Sequence, residues 1–231
     1  MKGSKQPTAA ARLRNMHDAL FKAYGPQHWW PANTPFEVIL GAYLTQNTSW
    51  KAVERSLANL RAAGALTVDG LRAIFVDELQ RLIQPSGFFT RKAPALKAFV
   101  AFLDSEFDGS LEKLAAAPTA KLRNRLLALP GVGPETADAI LLYALGHAVP
   151  VADEYLRRIA ERHGLLSATR RISYDALTAI TEQAFSADPA AALPRLYNEF
   201  HALTVAVGKS HCGRTARCEG CPLERDLHGK S

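Results

Sequence analysis

An all-α fold is what this sequence predicts, and three observations predict it. Apolar residues recur at intervals of three and four, as on the buried stripe of a helix. Phe36, Ile39, Leu40, Tyr43 and Leu44 do so, then Val53, Leu57 and Leu60, and later Ile140, Leu141, Ala144 and Leu145. Helix breakers separate these runs, at Pro31 to Pro35, Gly64, Pro85-Ser86-Gly87, Pro130 to Pro134 and Pro150. Alternating apolar and polar stretches closed by hairpin turns, the mark of strands, are absent. Spacing and breakers together divide the chain into about ten helices.

The 231 residues are 48% hydrophobic. That suffices for one large domain or two small ones with a real core. Lys and Arg number 28 against 22 Asp and Glu, a net charge of +6. Such a balance favours a polyanionic partner, either nucleic acid or an acidic membrane. No apolar run approaches the roughly 20 residues of a membrane span. Met1 to Thr8 lacks the apolar core of a signal peptide. The expectation is a soluble cytoplasmic protein with no membrane partner. All three cysteines, Cys212, Cys218 and Cys221, fall within ten residues. In a reducing compartment that clustering points to a metal site rather than to disulfides. From Lys209 onward the chain turns basic, Gly-rich and cysteine-bearing, as a small metal-organised loop would.

The most informative segment is Leu129-Pro130-Gly131-Val132-Gly133-Pro134-Glu135-Thr136-Ala137-Asp138. A helix over about 119–129 ends in a tight Gly-Val-Gly turn, and a second begins at Pro134, a residue suited to a first helical turn. Glycines let the backbone approach a partner closely. The free N–H groups and positive dipole end of the second helix then face an anion. A DNA phosphate fits that role, through Gly131, Val132 and Gly133. The next acid of interest is Asp153, in Val149-Pro150-Val151-Ala152-Asp153-Glu154-Tyr155. It precedes a helix over about 154–163 and is placed to be its N-cap. Local sequence leaves two readings open, a helix cap alone or a cap whose carboxylate also reacts.

The stretch LPGVG…VPVADEY resembles the helix-hairpin-helix, Gly/Pro-rich loop and aspartate of the endonuclease III superfamily of DNA glycosylases. The resemblance runs from about Trp29 to His228. Within the superfamily the likeness is greatest to the 3-methyladenine DNA glycosylase III group. It is carried by Trp29-Trp30-Pro31, Leu44-Thr45-Gln46-Asn47-Thr48, Pro85-Ser86-Gly87-Phe88 and Glu135-Thr136-Ala137-Asp138-Ala139-Ile140-Leu141. It implies two helical lobes with double-stranded DNA in the cleft between them. One lobe is a six-helix bundle over 33–148 that ends in the hairpin. The other joins 1–32 to 149–231 and carries a cysteine loop at 212–228. The expected protein is a monomer, bacterial in type and associated with the nucleoid.

The implied activity is base excision repair: one damaged base is flipped out of the duplex and its N-glycosidic bond is hydrolysed. Cleavage builds positive charge on the sugar, and a fixed carboxylate stabilises it. The resemblance gives that role to Asp153. Bifunctional members carry a lysine in the hairpin helix that attacks the sugar. Glu135 occupies that position here and cannot form a Schiff base. The implied enzyme is therefore monofunctional, with weak or absent lyase activity and with Lys92 and Lys209 as candidate substitutes. Gln46 matches the family's plugging glutamine, and Phe88 its apolar wedge. Trp50 follows the plug loop, and Trp30 precedes the first core helix. Aromatic faces stack best on cationic bases, which points to alkylated purines such as 3-methyladenine. Packing of Trp29 and Trp30 against the core stays open. So do a glycosylase for oxidised pyrimidines or mismatches and a non-catalytic DNA-binding homologue.

Relatives hold a [4Fe–4S] cluster with four cysteines. Here the run is Cys212-x5-Cys218-x2-Cys221-x6-His228, with a shorter first gap and no fourth cysteine. His228, or else Asp226, is the expected fourth ligand of a cluster. Cys3His is also a zinc set, and a metal-free loop is the third option. Thiolate dominance favours the iron–sulfur cluster.

Overall fold

A computed structural model describes residues 7–30, 32–166 and 171–227. Among these residues there are thirteen α-helices and no β-strand, and a single isolated bridge pairs Cys212 with Ala216. None of the described helices is long and apolar enough to cross a membrane. The chain divides into two compact units, Met1–Trp29 with Ala148–Ser231, and Trp30–His147.

In the unit Trp30–His147, α2 (Pro35–Leu44) is the central helix. Thr34 caps it by accepting from the Glu37 amide at 3.2 Å, and Pro35 opens its first turn. Every residue from Phe36 to Leu44 is buried. That is the pattern of a helix covered on all sides, here by α3 (Trp50–Ala62), α6 (Phe89–Phe107) and the turn Ile140–Ala144. The short helices α4 (Val68–Ala73), α5 (Val76–Ile83) and α7 (Leu111–Ala115) link α3, α6 and α8 (Thr119–Leu127). Helix α9 (Pro134–Ala139) runs into a π-helical turn, Ile140–Ala144. Arg123 on α8 donates two hydrogen bonds to the buried Asp138 on α9, at 2.7 and 2.9 Å. The paired charge fixes the angle between the two hairpin helices.

In the other unit α1 (Ala9–Tyr24) packs on α11 (Tyr174–Ala184) and α12 (Leu193–Ser210). Helix α10 (Glu154–Arg162) also packs on α12. The α10–α12 crossing is tight. A Cβ at Gly208 would lie 2.1 Å from Tyr155 Cδ1, so only glycine permits the approach. Near α13 (Glu224–Leu227), Asp226 accepts from Arg12 at 2.9 and 2.6 Å and pairs with His163 Nδ1 at 2.8 Å.

The helices are more numerous and shorter than the spacing suggested. Elements of four to six residues, α4, α7 and α13, are too short to show a helical period.

Candidate active site and nucleic-acid interface

The hairpin is built as its sequence demands. Gly131 has φ +75°, a left-handed conformation that glycine adopts without strain. The Val132 side chain is buried and its amide donates to Leu129 O at 3.3 Å, which closes the turn from within. Gly133 is the N-cap of α9, and a Cβ there would meet nothing within 4 Å. The missing side chain serves no internal packing. It leaves the first amides of α9 open to close approach. Glu135 lies exposed in that first turn.

Gln46 is drawn to the hairpin. Its Nε2 donates to Gly131 O at 2.8 Å and to Thr136 Oγ1 at 2.9 Å. A crevice of about 380 Å³ opens here, lined by Gln46, Asn47, Gly131, Gly133, Glu135 and Thr136 among others. Asn47 takes φ +54° and Phe88 φ +48°, a region uncommon for residues with side chains. Phe88 is 58% exposed, an apolar ring held out from a loop whose Ser86 hydroxyl donates to Ser56 Oγ at 2.8 Å. Lys92 is buried, and its ammonium donates to Leu44 O, Gln46 O and Ser86 O at 2.9, 3.0 and 2.9 Å. Burial lowers its pKa.

Trp30, Trp50 and Tyr143 form an aromatic group. Trp30 meets Trp50 edge-on at 5.2 Å and Tyr143 at a tilt, also 5.2 Å. Trp30 leans on Gly41 of α2, where an added Cβ would lie 3.2 Å from Cζ2. The two indoles are half-buried and are not among the walls of the Gln46 crevice. Sequence reasoning missed Tyr143. It sits in the π-helical turn, a feature common at functional sites, and spacing alone does not reveal such a turn.

Asp153 is the N-cap of α10. Its Oδ1 accepts from the Leu156 amide at 2.8 Å, and its Oδ2 lies 3.5 Å from His201 Nε2. The residue is only 8% exposed. One oxygen serves the helix and the other faces an imidazole on α12. The cap sets one carboxylate oxygen at the N-terminus of α10, the end of a helix dipole that attracts negative charge. Trp29 packs edge-on against His201 at 6.5 Å, and Lys209 Nζ lies 5.8 Å from the Trp29 ring centre.

Cys212, Cys218 and Cys221 share a cavity of about 210 Å³, whose walls include Val207, Leu223 and Leu227. Arg162 Nη1 reaches Cys212 Sγ at 3.0 Å. The Cys221 pKa is raised by burial and by the other two cysteines. Three thiols on one apolar cavity suit a thiolate-bound metal in donor chemistry. Among the described residues, though, no group of three or more His, Cys, Asp or Glu is gathered to hold an ion. His228 lies outside the described residues. Both Asp226 oxygens are engaged by Arg12 and His163.

A helical chain with a glycine hairpin and a helix-capping, buried aspartate defines the class of helix-hairpin-helix DNA repair enzymes. Residues 40–185 match the model of the HhH-GPD superfamily of base excision DNA repair proteins. The chain belongs to that family, and it is a base excision repair DNA glycosylase. A putative DNA repair glycosylase of Methanocaldococcus jannaschii is 39% identical over 92% of this chain and 94% of its own. The crystal structure of H. pylori 3-methyladenine DNA glycosylase bound to 1,N6-ethenoadenine superposes with a TM-score of 0.75 at 30% identity. It covers 88% of this chain and 98% of its own. A trapped endonuclease III–DNA covalent intermediate shares the fold, with TM-score 0.74, 21% identity and 93% of each chain covered.

Proposed function

We propose that this glycosylase acts as a monomer on double-stranded DNA, hydrolysing the N-glycosidic bond of a flipped alkylated purine of the 3-methyladenine type. It leaves an abasic site without cutting the strand. The observation that carries the reading is Asp153, a buried carboxylate with one oxygen on the α10 cap and the other beside His201. Its charge stabilises the sugar cation as the base departs, and its second oxygen, the one beside His201, orients the attacking water. The backbone of Gly131, Val132 and Gly133 binds a phosphate, Gln46 fills the space left by the flipped base, and Phe88 wedges into the opposite strand.

Two further features support the finer assignment. Trp30 and Trp50 offer aromatic faces suited to a cationic purine, which already has a weakened glycosidic bond. The relative from H. pylori that is 30% identical is a 3-methyladenine glycosylase. Monofunctional chemistry is favoured because Glu135 stands at the lyase-lysine position, the Lys92 ammonium is held by three carbonyls, and Lys209 lies against Trp29. The same reading gives the C-terminal loop a structural [4Fe–4S] cluster on Cys212, Cys218, Cys221 and His228, with zinc as the alternative. Its part would be to brace a basic loop, Lys209, Arg214 and Arg217, against phosphates.

Duplexes carrying one defined lesion test the proposal. Release of free 3-methyladenine or ethenoadenine with an intact strand is expected. Strand nicking with a borohydride-trapped adduct overturns the monofunctional reading, and release of oxidised pyrimidines alone overturns the substrate. No release from any lesion marks a non-catalytic binder. Metal analysis and visible absorbance of the purified protein decide between cluster, zinc and neither.

A further inference from the structure

Lys92 is a buried ammonium that none of the steps above uses. Its three N–H donors meet three backbone carbonyls at 2.9–3.0 Å, which satisfies a protonated lysine in full. Two of those carbonyls, Leu44 and Gln46, belong to the end of α2 and the loop after it. Helix carbonyls there lack internal partners, and a cation is favoured. The third, Ser86, belongs to the loop that presents Phe88. The Phe88 ring centre lies 6.0 Å from the same ammonium. Both loops hold a non-glycine residue at positive φ, Asn47 and Phe88, a conformation that persists only where its surroundings hold it.

We infer that Lys92 is a positioning residue that clamps the Gln46 loop and the Phe88 loop to one another, so that plug and wedge enter the duplex as one preset unit. The clamp reaches the hairpin through Gln46. Its main-chain oxygen is held by Lys92, and its side-chain amide is held by Gly131 O and Thr136 Oγ1. Phosphate grip, gap filling and strand wedging are thereby joined through two side chains. The three carbonyls take up the donors of the Lys92 nitrogen and hold it in place among the backbone, so the residue positions rather than reacts. The inference rests on the assignment of Gln46 and Phe88 as the residues that penetrate DNA.

The test compares affinities for a duplex containing a tetrahydrofuran abasic-site analogue and for the same duplex undamaged. Lys92→Met removes the donors while keeping an apolar chain of similar length. It should change undamaged-DNA affinity little, within about twofold, since Lys92 bonds only to Leu44, Gln46 and Ser86 and not to the hairpin glycines themselves, yet reduce the preference for the abasic duplex by about tenfold or more, as small displacements of positioned groups do. Adding Phe88→Ala to Lys92→Met should then cost little further, because both remove the same event. Circular dichroism confirms folding. If Lys92→Met does not fold, Lys92→Gln, which keeps two donors, carries the same measurement. A variant that keeps the wild-type preference overturns the clamp. So do Lys92→Met and Phe88→Ala effects that simply multiply. A wild-type protein with no preference for the abasic duplex overturns instead the Gln46 and Phe88 assignment, and the clamp with it.

Discussion

Asparagine at position 153 would separate the charge of the aspartate from its role as a cap. In the native protein Oδ1 accepts the Leu156 amide while Oδ2 faces His201. Asp153→Asn keeps an oxygen for the amide and matches aspartate as a cap. Its stability should be nearly unchanged. Asp153→Ala loses that bond, at a cost of about 1 kcal/mol, which in a chain of this length lowers Tm by about 2–4 °C. Both variants lose the negative charge. Removing one preorganised charge-stabilising group slows chemistry on the order of 10²–10³-fold, so single-turnover base release should fall to a similar extent in both. The assay pairs release of the alkylated base under excess enzyme with thermal denaturation of the same samples. Two results would refute the reasoning. One is an Asp153→Asn protein that releases base at near the native rate, which leaves Asp153 as a cap alone. The other is a loss of rate that follows Tm across the pair, which makes the effect structural.

Two further predictions concern the unit that carries this residue. Gly208→Ala would place a methyl 2.1 Å from Tyr155 Cδ1. Overpacking of that kind costs about 1–3 kcal/mol, against about 1 kcal/mol gained in helix propensity, so a lower Tm is expected. Tyr155→Ala in the same chain should restore it by opening the crossing, and an unchanged Tm in Gly208→Ala would show that α10 and α12 part without cost. The Arg12–Asp226–His163 network should make stability fall in acid. Burial holds the His163 pKa below its ordinary 6.5, so the unfolded chain takes up a proton the folded one resists, and stability declines as pH drops through about 6.5. Asp226 is held below its ordinary 3.8 by hydrogen bonds from Arg12 and His163, which outweigh the burial that opposes them. It adds a second loss as pH falls further, through its folded value. Tm measured from neutral pH downward should decline in both stages, and His163→Gln should flatten the first. A flat profile would contradict the network.

The local grammar of this protein is legible in its sequence. The LPGVG run dictates the hairpin because a left-handed glycine and a helix-starting proline are properties of single residues and their neighbours. Asp153 is legible as a cap for the same reason, since its partner is three residues away. The apolar spacing of 36–44 marks a core helix, and the structure buries each of those residues. What the tertiary structure alone decided lies between residues far apart in the chain. Lys92 reads in sequence only as a candidate substitute for the lyase lysine, and only the fold brings Leu44, Gln46 and Ser86 around its ammonium. Asp226 reads as a possible metal ligand until Arg12, 214 residues away, is found to occupy it. The glycine at 208 looks like any helix glycine until Tyr155 is packed against it. Backbone preference acts within a few residues and is written along the chain, whereas burial and charge pairing depend on which distant segments fold into contact, and that follows from the packing of the whole.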